Sequence, residues 1–130
     1  MKRTAHKITL FQHAANTQVY PADAILFSEG DEGNVMYAIK RGSVSVVLDG
    51  RVVETIGQDE VFGEMALLGH RVRAATVVTT EETELVEIDE AQFFILVRHH
   101  PHFALLMMRM LADRVRNMRA HALNRVAEEK

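Results

Sequence analysis

Hydrophobic and polar positions follow two different patterns along the chain, and the change falls at Ile88. Before it, short β-prone runs lie between glycines, and all 7 glycines occur from Gly30 to Gly69. Residues 43–46 alternate polar and apolar side chains, which predicts a strand with one buried face. Many short strands punctuated by glycine predict an antiparallel roll or barrel.

The predicted strands cover residues 24–27, 35–39, 43–48, 51–56, 76–79 and 83–88. Asp49-Gly50, between two of these runs, is a strong signal for a hairpin turn. Nearer the N-terminus, residues 8–11 and 17–20 fit either two short strands or a short helix followed by a strand. The pattern therefore predicts that β-structure dominates the first two thirds of the chain.

After Ile88 the spacing becomes helical. Asp89 is a good N-cap for a short helix over residues 89–98, and residues 99–102 interrupt it. Pro101 suits the first turn of a second helix, which continues without glycine or proline to about residue 127. At ~1.5 Å per residue this helix is roughly 39 Å long, which is more than a small roll can cover.

The long helix carries an apolar seam with heptad-like steps, formed by Met108, Leu111, Val115, Met118 and Ala122. Because the seam extends past its own roll, we expect it to pack on a second copy in a parallel two-fold homodimer.

The composition fits one domain spanning residues 1–130, with a net charge of −3, no cysteine and no apolar run long enough to cross a membrane. The weak negative charge argues against a dedicated nucleic-acid surface, and a chain without cysteine has no disulfides or thiolate catalysis. The simplest expectation is a cytoplasmic protein that contacts neither membrane nor nucleic acid directly.

Residues 61–76 are the most informative stretch. They predict a strand end, a short apolar helical turn after Gly63, a break at Gly69 and a return strand that carries Arg73. Free amides at the start of the turn, together with a guanidinium, suit one small anion. The carboxylate of Glu64 at the same mouth needs hydrogen-bond donors, and sugar hydroxyls would serve. These groups together predict a site for a nucleotide monophosphate.

Two motifs carry a family resemblance: Gly-Glu-Met-Ala-Leu-Leu at residues 63–68 and Arg-Ala-Ala-Thr at residues 73–76. They resemble the phosphate-binding cassette of the cyclic nucleotide-binding domain family, and the resemblance runs from about Tyr20 to about Asn117. It implies a mainly β fold with α-helices, in which an eight-stranded antiparallel β-roll (jelly-roll-like) over about 17–88 precedes the two helices. Val72 departs from the pattern, since family members often have proline there.

The resemblance also implies the ligand-binding residues, which are Gly63, Glu64, Met65, Ala66, Leu67, Arg73, Ala74 and Ala75. Arg73 would pair with the phosphate, Glu64 would accept from the ribose hydroxyl, and the amides of Ala66, Leu67 and Ala74 would complete the anion shell. Further base or sugar contacts would come from Val46, Val53, Ile56, Met118 and Arg119. Family members that prefer cyclic GMP often carry threonine at the position of Ala74, so its methyl side chain favours cyclic AMP over cyclic GMP.

We therefore expect a regulatory sensor without catalytic residues, metal or cofactor, in which the ligand repositions the two C-terminal helices. A downstream protein partner is implied, and the residues do not identify it. The main alternative is an interaction and dimerisation module with a vestigial pocket. Another is a truncated transcription regulator, because activator proteins of the family continue into a helix-turn-helix. For Arg73 itself, the alternative is a surface arginine on a strand.

Several of these residues also fit structural roles that involve no ligand. Val46, Val53, Ile56 and Met65 fit a hydrophobic core equally well, and Met118 and Arg119 fit a seam methionine and a solvated arginine. Arg71 is expected to be exposed. The histidines at 99, 100 and 102 lie at a helix break without an acidic or cysteine partner at ligand spacing, so a solvated or capping role is favoured over a metal site.

Overall fold

The computed structural model describes the backbone of residues 7–128 and the side chains of residues 7–117. Eight strands precede two helices: β1 (Gln18–Tyr20), β2 (Ile25–Phe27), β3 (Val35–Arg41), β4 (Val44–Leu48), β5 (Arg51–Ile56), β6 (Val61–Phe62), β7 (Thr76–Thr79), β8 (Thr83–Asp89), α1 (Glu90–His99) and α2 (Pro101–Glu128). Two short 3-10 turns, Thr9–Phe11 and Glu64–Leu68, complete the elements of this part of the chain.

The strands form two four-stranded sheets in which all the neighbours pair antiparallel. The first sheet has the order β1-β8-β3-β6 and the second the order β2-β7-β4-β5. The eight-stranded antiparallel roll predicted from the sequence is therefore confirmed. Of the two predictions for the N-terminal region, the helical one is correct, because Thr9–Phe11 is a 3-10 turn and β1 follows it.

The hairpin predicted at Asp49-Gly50 joins β4 to β5. Both turn residues have positive φ, 53° at Asp49 and 75° at Gly50. That combination is required by the two-residue turn whose twist matches the flanking strands, and aspartate followed by glycine tolerates it well. The turn pairs Leu48 of β4 with Arg51 of β5, and a register shift between Val46 and Val47 then pairs Val46 with Glu54.

Strand β3 divides its side chains between two cores because successive residues point to opposite faces of the sheet. Met36 and Ala38 belong to a core that includes Phe103, Met107 and Met110 of α2, together with Ile8, Phe11, Val61, Val86 and Ile88. Tyr37 and Ile39 belong to a second core, with Val44, Ile56, Phe62, Val77 and Leu85. One sheet face thus supports the helices, while the other packs against the second sheet.

Helix α1 begins as the sequence predicts. The Asp89 side chain accepts from the amide of Gln92 at 2.8 Å, and the Gln92 side chain accepts from the amide of Asp89 at 2.9 Å. This reciprocal capping box satisfies two amides that the helix itself cannot bond. Pro101 is the first residue of α2, as expected for a residue without an N–H.

On the described part of α2, two of the three predicted seam residues face outward and the third does not. Met108 and Val115 are 61% and 64% exposed, whereas Leu111 packs partly against the core of its own chain. The exposed stripe on the described part of the helix is Leu105, Met108, Ala112 and Val115. Met118 and Ala122 lie outside the described side chains. Among residues 7–128, no helix combines the length and apolar character needed to cross a membrane.

Candidate functional site

A cavity of about 260 Å³ lies between the second sheet, the 64–68 turn and α2. This volume is close to the lower end of the roughly 300–1,000 Å³ range of small-molecule pockets. Its apolar lining includes Phe27, Val46, Ile56, Phe62 and Val77, and its polar side chains are those of Glu54, Glu64, His70, Arg73 and Arg114. An apolar pocket with a few charged groups is typical of a site for a small amphipathic ligand.

The 64–68 turn depends on a glycine at each end. Gly63 has φ 76° and Gly69 has φ 98°, both in the left-handed region where other residues are strained. At the start of the turn the amide of Ala66 donates to the Gly63 carbonyl at 3.3 Å, and just past Gly69 the amide of His70 donates back to the Met65 carbonyl at 3.1 Å. The turn is thus a single compact 3-10 segment. One of the three amides predicted to face the anion, that of Ala66, already has a backbone acceptor.

Arg73 is buried at the edge of the cavity, with only 7% of its surface exposed. Its Nη1 donates to the Gly63 carbonyl at 3.1 Å and its Nη2 to the Val35 carbonyl at 2.8 Å. The guanidinium lies over the ring of Phe27, with 4.1 Å from Cζ to the ring centroid. Two hydrogen bonds use two of the five N–H donors of a guanidinium, so the side chain retains donors for an anion.

The electrostatics of Arg73 and Tyr37 are linked. Burial lowers the pKa of the Arg73 guanidinium from its ordinary value, while Tyr37 and Asp31 oppose this effect. Burial raises the pKa of the Tyr37 phenol, Glu87 adds to the increase, and Arg73 counteracts it. An arginine stays charged at neutral pH even when its pKa is lowered, so this site holds a buried positive charge.

Glu64 is 2% exposed and lines the same cavity. Its Oε1 is paired with Nη1 of Arg114, a residue of α2 fifty positions further along the chain. The sequence predicts that this carboxylate needs hydrogen-bond donors, and sugar hydroxyls are the donors expected there. In the structure an arginine of the chain itself is a donor to it.

No motif in the sequence points to Arg114. One signal was available, because Arg114 continues the helical spacing of Met107, Met110 and Leu111, which pack on the roll. A charged residue on the inward face of a helix needs a partner, since burying an unpaired charge is costly. The sequence shows that spacing without showing that Glu64 lies opposite it.

The structure brings most of the predicted ligand residues to the cavity: Gly63, Glu64, Met65, Ala66, Arg73, Ala74, Ala75, Val46 and Ile56 all line it. It does not bring Leu67 or Val53 there. Leu67 packs against the core beneath the helices, and Val53 is 59% exposed on β5. Met118 and Arg119 lie outside the described side chains.

Arg71 is exposed, as expected. Val72 forms an isolated antiparallel bridge with Glu32. This is the position at which the phosphate-binding cassette often has proline. Among the side chains that the structure describes, those of residues 7–117, no group of three or more histidine, cysteine, aspartate or glutamate residues is arranged to hold a metal ion.

Residues 17–100 match the family model described as the cyclic nucleotide-binding domain. The chain is 34% identical over 104 residues to the cyclic AMP receptor protein of Thermus thermophilus, a match that covers 76% of this chain and 48% of the receptor. The chain thus spans about half the length of that relative.

Solved structures agree with the fold. The crystal structure of the Thermus thermophilus catabolite activator protein superposes with a TM-score of 0.75 at 31% identity, covering 85% of this chain and 54% of that one. The cyclic-GMP-bound form of the EAL enzyme Bd1971 superposes with a TM-score of 0.57 at 33% identity, covering 77% of this chain and 28% of that one.

Proposed function

This chain belongs to the cyclic nucleotide-binding domain family, and on that premise we propose that it is a regulatory receptor for a cyclic purine nucleotide, preferably cyclic AMP. The receptor performs no chemistry of its own. One observation carries the proposal: a buried guanidinium, that of Arg73, lies at the edge of a cavity and stands beside the carbonyl of Gly63.

In the proposed complex the cyclic phosphate pairs with Arg73. A phosphate that pairs with a guanidinium in a partly desolvated site gains charge-assisted hydrogen bonds, which are roughly twice as strong as neutral ones. Ala74 and Ala75 follow Arg73 and line the cavity, and their small side chains leave room for the phosphate. The purine and ribose then extend towards the apolar wall of Val46 and Ile56.

The ribose hydroxyl is proposed to donate to Glu64. Because Arg114 already pairs with this carboxylate, the hydroxyl must share Glu64 with α2 or replace Arg114. Either event changes a contact that holds α2 against the 64–68 turn. We propose this as the route by which ligand shifts the population of positions of α1 and α2 relative to the roll.

The preference for cyclic AMP rests on Ala74, whose methyl side chain cannot donate to a guanine. It is a preference between two purines that share the phosphate and ribose contacts. We expect the difference in affinity to be smaller than the loss caused by removing Arg73.

A homodimer through α2 forms part of the proposal. Helix α2 is 28 residues long, and on its described part it exposes Leu105, Met108, Ala112 and Val115 at heptad-like steps. The same stripe supports the second candidate, a dimerisation module whose cavity no longer binds a nucleotide. Residues 1–130 as one domain, and a cytoplasmic location, remain predictions from the sequence.

Calorimetric titration of the protein with cyclic AMP and with cyclic GMP tests the proposal, with linear 5′-AMP as the control. We expect saturable binding of cyclic AMP at micromolar concentrations, weaker binding of cyclic GMP and little binding of 5′-AMP. A bound ligand must also raise the melting temperature, since it binds only the folded state. No heat and no melting shift with either cyclic nucleotide would leave the dimerisation module as the function.

A further inference from the structure

Gly33 has no conformational reason to be glycine. Five of the 7 glycines have positive φ, namely Gly30, Gly42, Gly50, Gly63 and Gly69. Gly33 and Gly57 do not, so the backbone at either position is open to any L-residue. The reason for glycine at 33 must therefore be sought in what surrounds it.

A Cβ atom at position 33 would meet the Arg73 side chain. It would lie 2.2 Å from Nε, 2.4 Å from Cζ and 2.4 Å from Nη2. Non-bonded carbon atoms attract each other best at about 3.5–4.0 Å, so these separations are repulsive. At Gly57 the nearest atom to such a Cβ is Oε1 of Glu60 at 3.7 Å, an ordinary contact. Gly33 and Gly57 therefore differ: the space left by the missing side chain is occupied by another residue at Gly33 and not at Gly57.

The guanidinium is held on its other sides as well. Nη1 is bonded to the Gly63 carbonyl, Nη2 to the Val35 carbonyl, and the ring of Phe27 lies against the guanidinium. A side chain at 33 would press on the same Nη2 that donates to Val35. The guanidinium would then have to leave both carbonyls, because its planar fork moves as one unit.

The segment around Gly33 is also bonded to the backbone of the arginine segment. The Gly33 amide donates to the Arg71 carbonyl at 2.7 Å, and the Arg73 amide donates to the Asp31 carbonyl at 2.7 Å. Because these two bonds flank the bridge between Glu32 and Val72, the two backbones cannot separate to make room for a side chain without breaking them. A clash at position 33 is therefore relieved by moving the Arg73 side chain.

We propose that Gly33 is a positioning residue for nucleotide recognition: its bare Cα leaves the space that sets the Arg73 guanidinium at the edge of the cavity. This inference rests on the proposed function, because the ligand is the cyclic phosphate assigned to Arg73. Gly33 itself does not touch the nucleotide. Its substitution weakens binding by relocating the guanidinium.

The binding experiment compares Gly33→Ala with Gly57→Ala as the matched control, using cyclic AMP as the titrant. Gly33→Ala is expected to weaken binding about tenfold or more, since a displaced guanidinium forfeits at least one charge-assisted hydrogen bond. The affinity of Gly57→Ala for cyclic AMP is expected to stay within about twofold of wild type, because the new methyl group makes only ordinary contacts. Wild-type affinity, or tighter binding, in Gly33→Ala overturns the proposal.

A second experiment separates positioning from a general effect on folding, and it needs no nucleotide. Gly33→Ala is introduced into wild type and into Arg73→Ala, and the melting temperatures are compared. If Gly33→Ala lowers the melting temperature of wild type but not that of Arg73→Ala, positioning is supported, because the clashing atoms are absent from the Arg73→Ala variant. An equal drop in both backgrounds overturns it. If the Gly33→Ala single variant does not fold and the double variant with Arg73→Ala does, the proposal is supported. If neither the single variant nor the double variant folds, the proposal is overturned.

The Nε–H signal of Arg73 in an ¹⁵N-correlated spectrum, assigned by its loss in Arg73→Lys, reports the guanidinium directly. It should shift in Gly33→Ala and stay unchanged in Gly57→Ala, and an unchanged signal in both overturns the proposal. Failure of the proposed function is distinguishable from failure of the positioning proposal, because wild type would then bind neither nucleotide. The melting temperatures and the Nε–H signal would still decide whether Gly33 positions Arg73.

Discussion

The carboxylate of Glu64 forms an ion pair with the guanidinium of Arg114, and this pair joins the 64–68 turn of the roll to helix α2. Glu64 is almost fully buried, whereas the Arg114 side chain is about one third exposed, at 32%. The pair lies in the wall of the cavity, so anything that enters the cavity meets the contact that holds the helix. The pair is therefore the contact through which we propose that a ligand acts on α2.

We predict that Arg114→Ala lowers the free energy of unfolding by about 1–3 kcal/mol, because it leaves a buried carboxylate without this partner. Urea unfolding measures the change. Arg116→Ala is the matched control, since Arg116 pairs with Asp113 on the exposed surface and such pairs contribute about 0.2–1 kcal/mol. Equal effects of the two substitutions would contradict the structural link.

Arg73→Ala is predicted to reduce the free energy of cyclic AMP binding by roughly 3–5 kcal/mol, because the phosphate loses its only proposed charged partner in a desolvated site. Titration calorimetry measures the loss, and circular dichroism checks that the variant is folded. Arg71→Ala, two residues away and exposed, should change binding by less than ~0.5 kcal/mol. The prediction is wrong if Arg73→Ala binds as tightly as Arg71→Ala does.

Val115→Glu is predicted to weaken the proposed homodimer at least about tenfold, since a two-fold interface receives the buried charge twice. Val115 is exposed in the single chain, so the substitution should leave the monomer fold intact. Sedimentation equilibrium measures the association. Arg109→Glu, on an exposed position of the same helix, is the control for a general effect of added negative charge. Unchanged association in Val115→Glu would place the interface elsewhere.

Above pH 10 the stability should depend on Tyr37. Its pKa is raised in the folded state, chiefly by burial, so the unfolded chain releases this proton at a lower pH than the folded chain does. The contribution of Tyr37 to stability is therefore complete below about pH 10 and is lost as the pH rises through the folded pKa.

Urea unfolding from pH 9 to 11 measures this dependence, and Tyr37→Phe should flatten it. The pKa of Tyr20, the second tyrosine, is also raised by its partial burial and by Glu87, so Tyr20→Phe is the matched comparison. A phenolate absorbance titration of each variant separates the two groups. An equally steep loss of stability in Tyr37→Phe would show that Tyr37 does not cause the dependence.

Local signals account for what could be predicted of the fold. Glycine and turn residues divide the β-region, so the strands, the Asp49-Gly50 hairpin and the capping box at Asp89 follow from residues close together in the chain. The 64–68 turn and an arginine close to it follow from two short motifs for the same reason, but Arg73 precedes β7 and does not lie on the predicted return strand. These features depend on backbone conformations and hydrogen bonds that a few neighbouring residues decide.

Spacing alone does not show that Ala112, and not Leu111, belongs to the exposed stripe on α2. Leu111 fits a heptad with Met108 and Val115, yet it packs partly on its own roll. An apolar residue of α2 can either pack on the roll or remain on the exposed face of the helix. The sequence does not show which residues of α2 the roll covers. The relative position of roll and helix decides which residues are left outside.

The sequence by itself determined the β-roll, the two helices that follow it and the stretch that carries the proposed phosphate site, because periodicity, glycine placement and a short motif are local properties. Only the tertiary structure decided that Arg114 reaches Glu64 and that Gly33 leaves space for the Arg73 guanidinium. Those pairs lie fifty and forty residues apart in the chain. Contact between such distant residues depends on how sheets and helices pack, which no single stretch of sequence encodes.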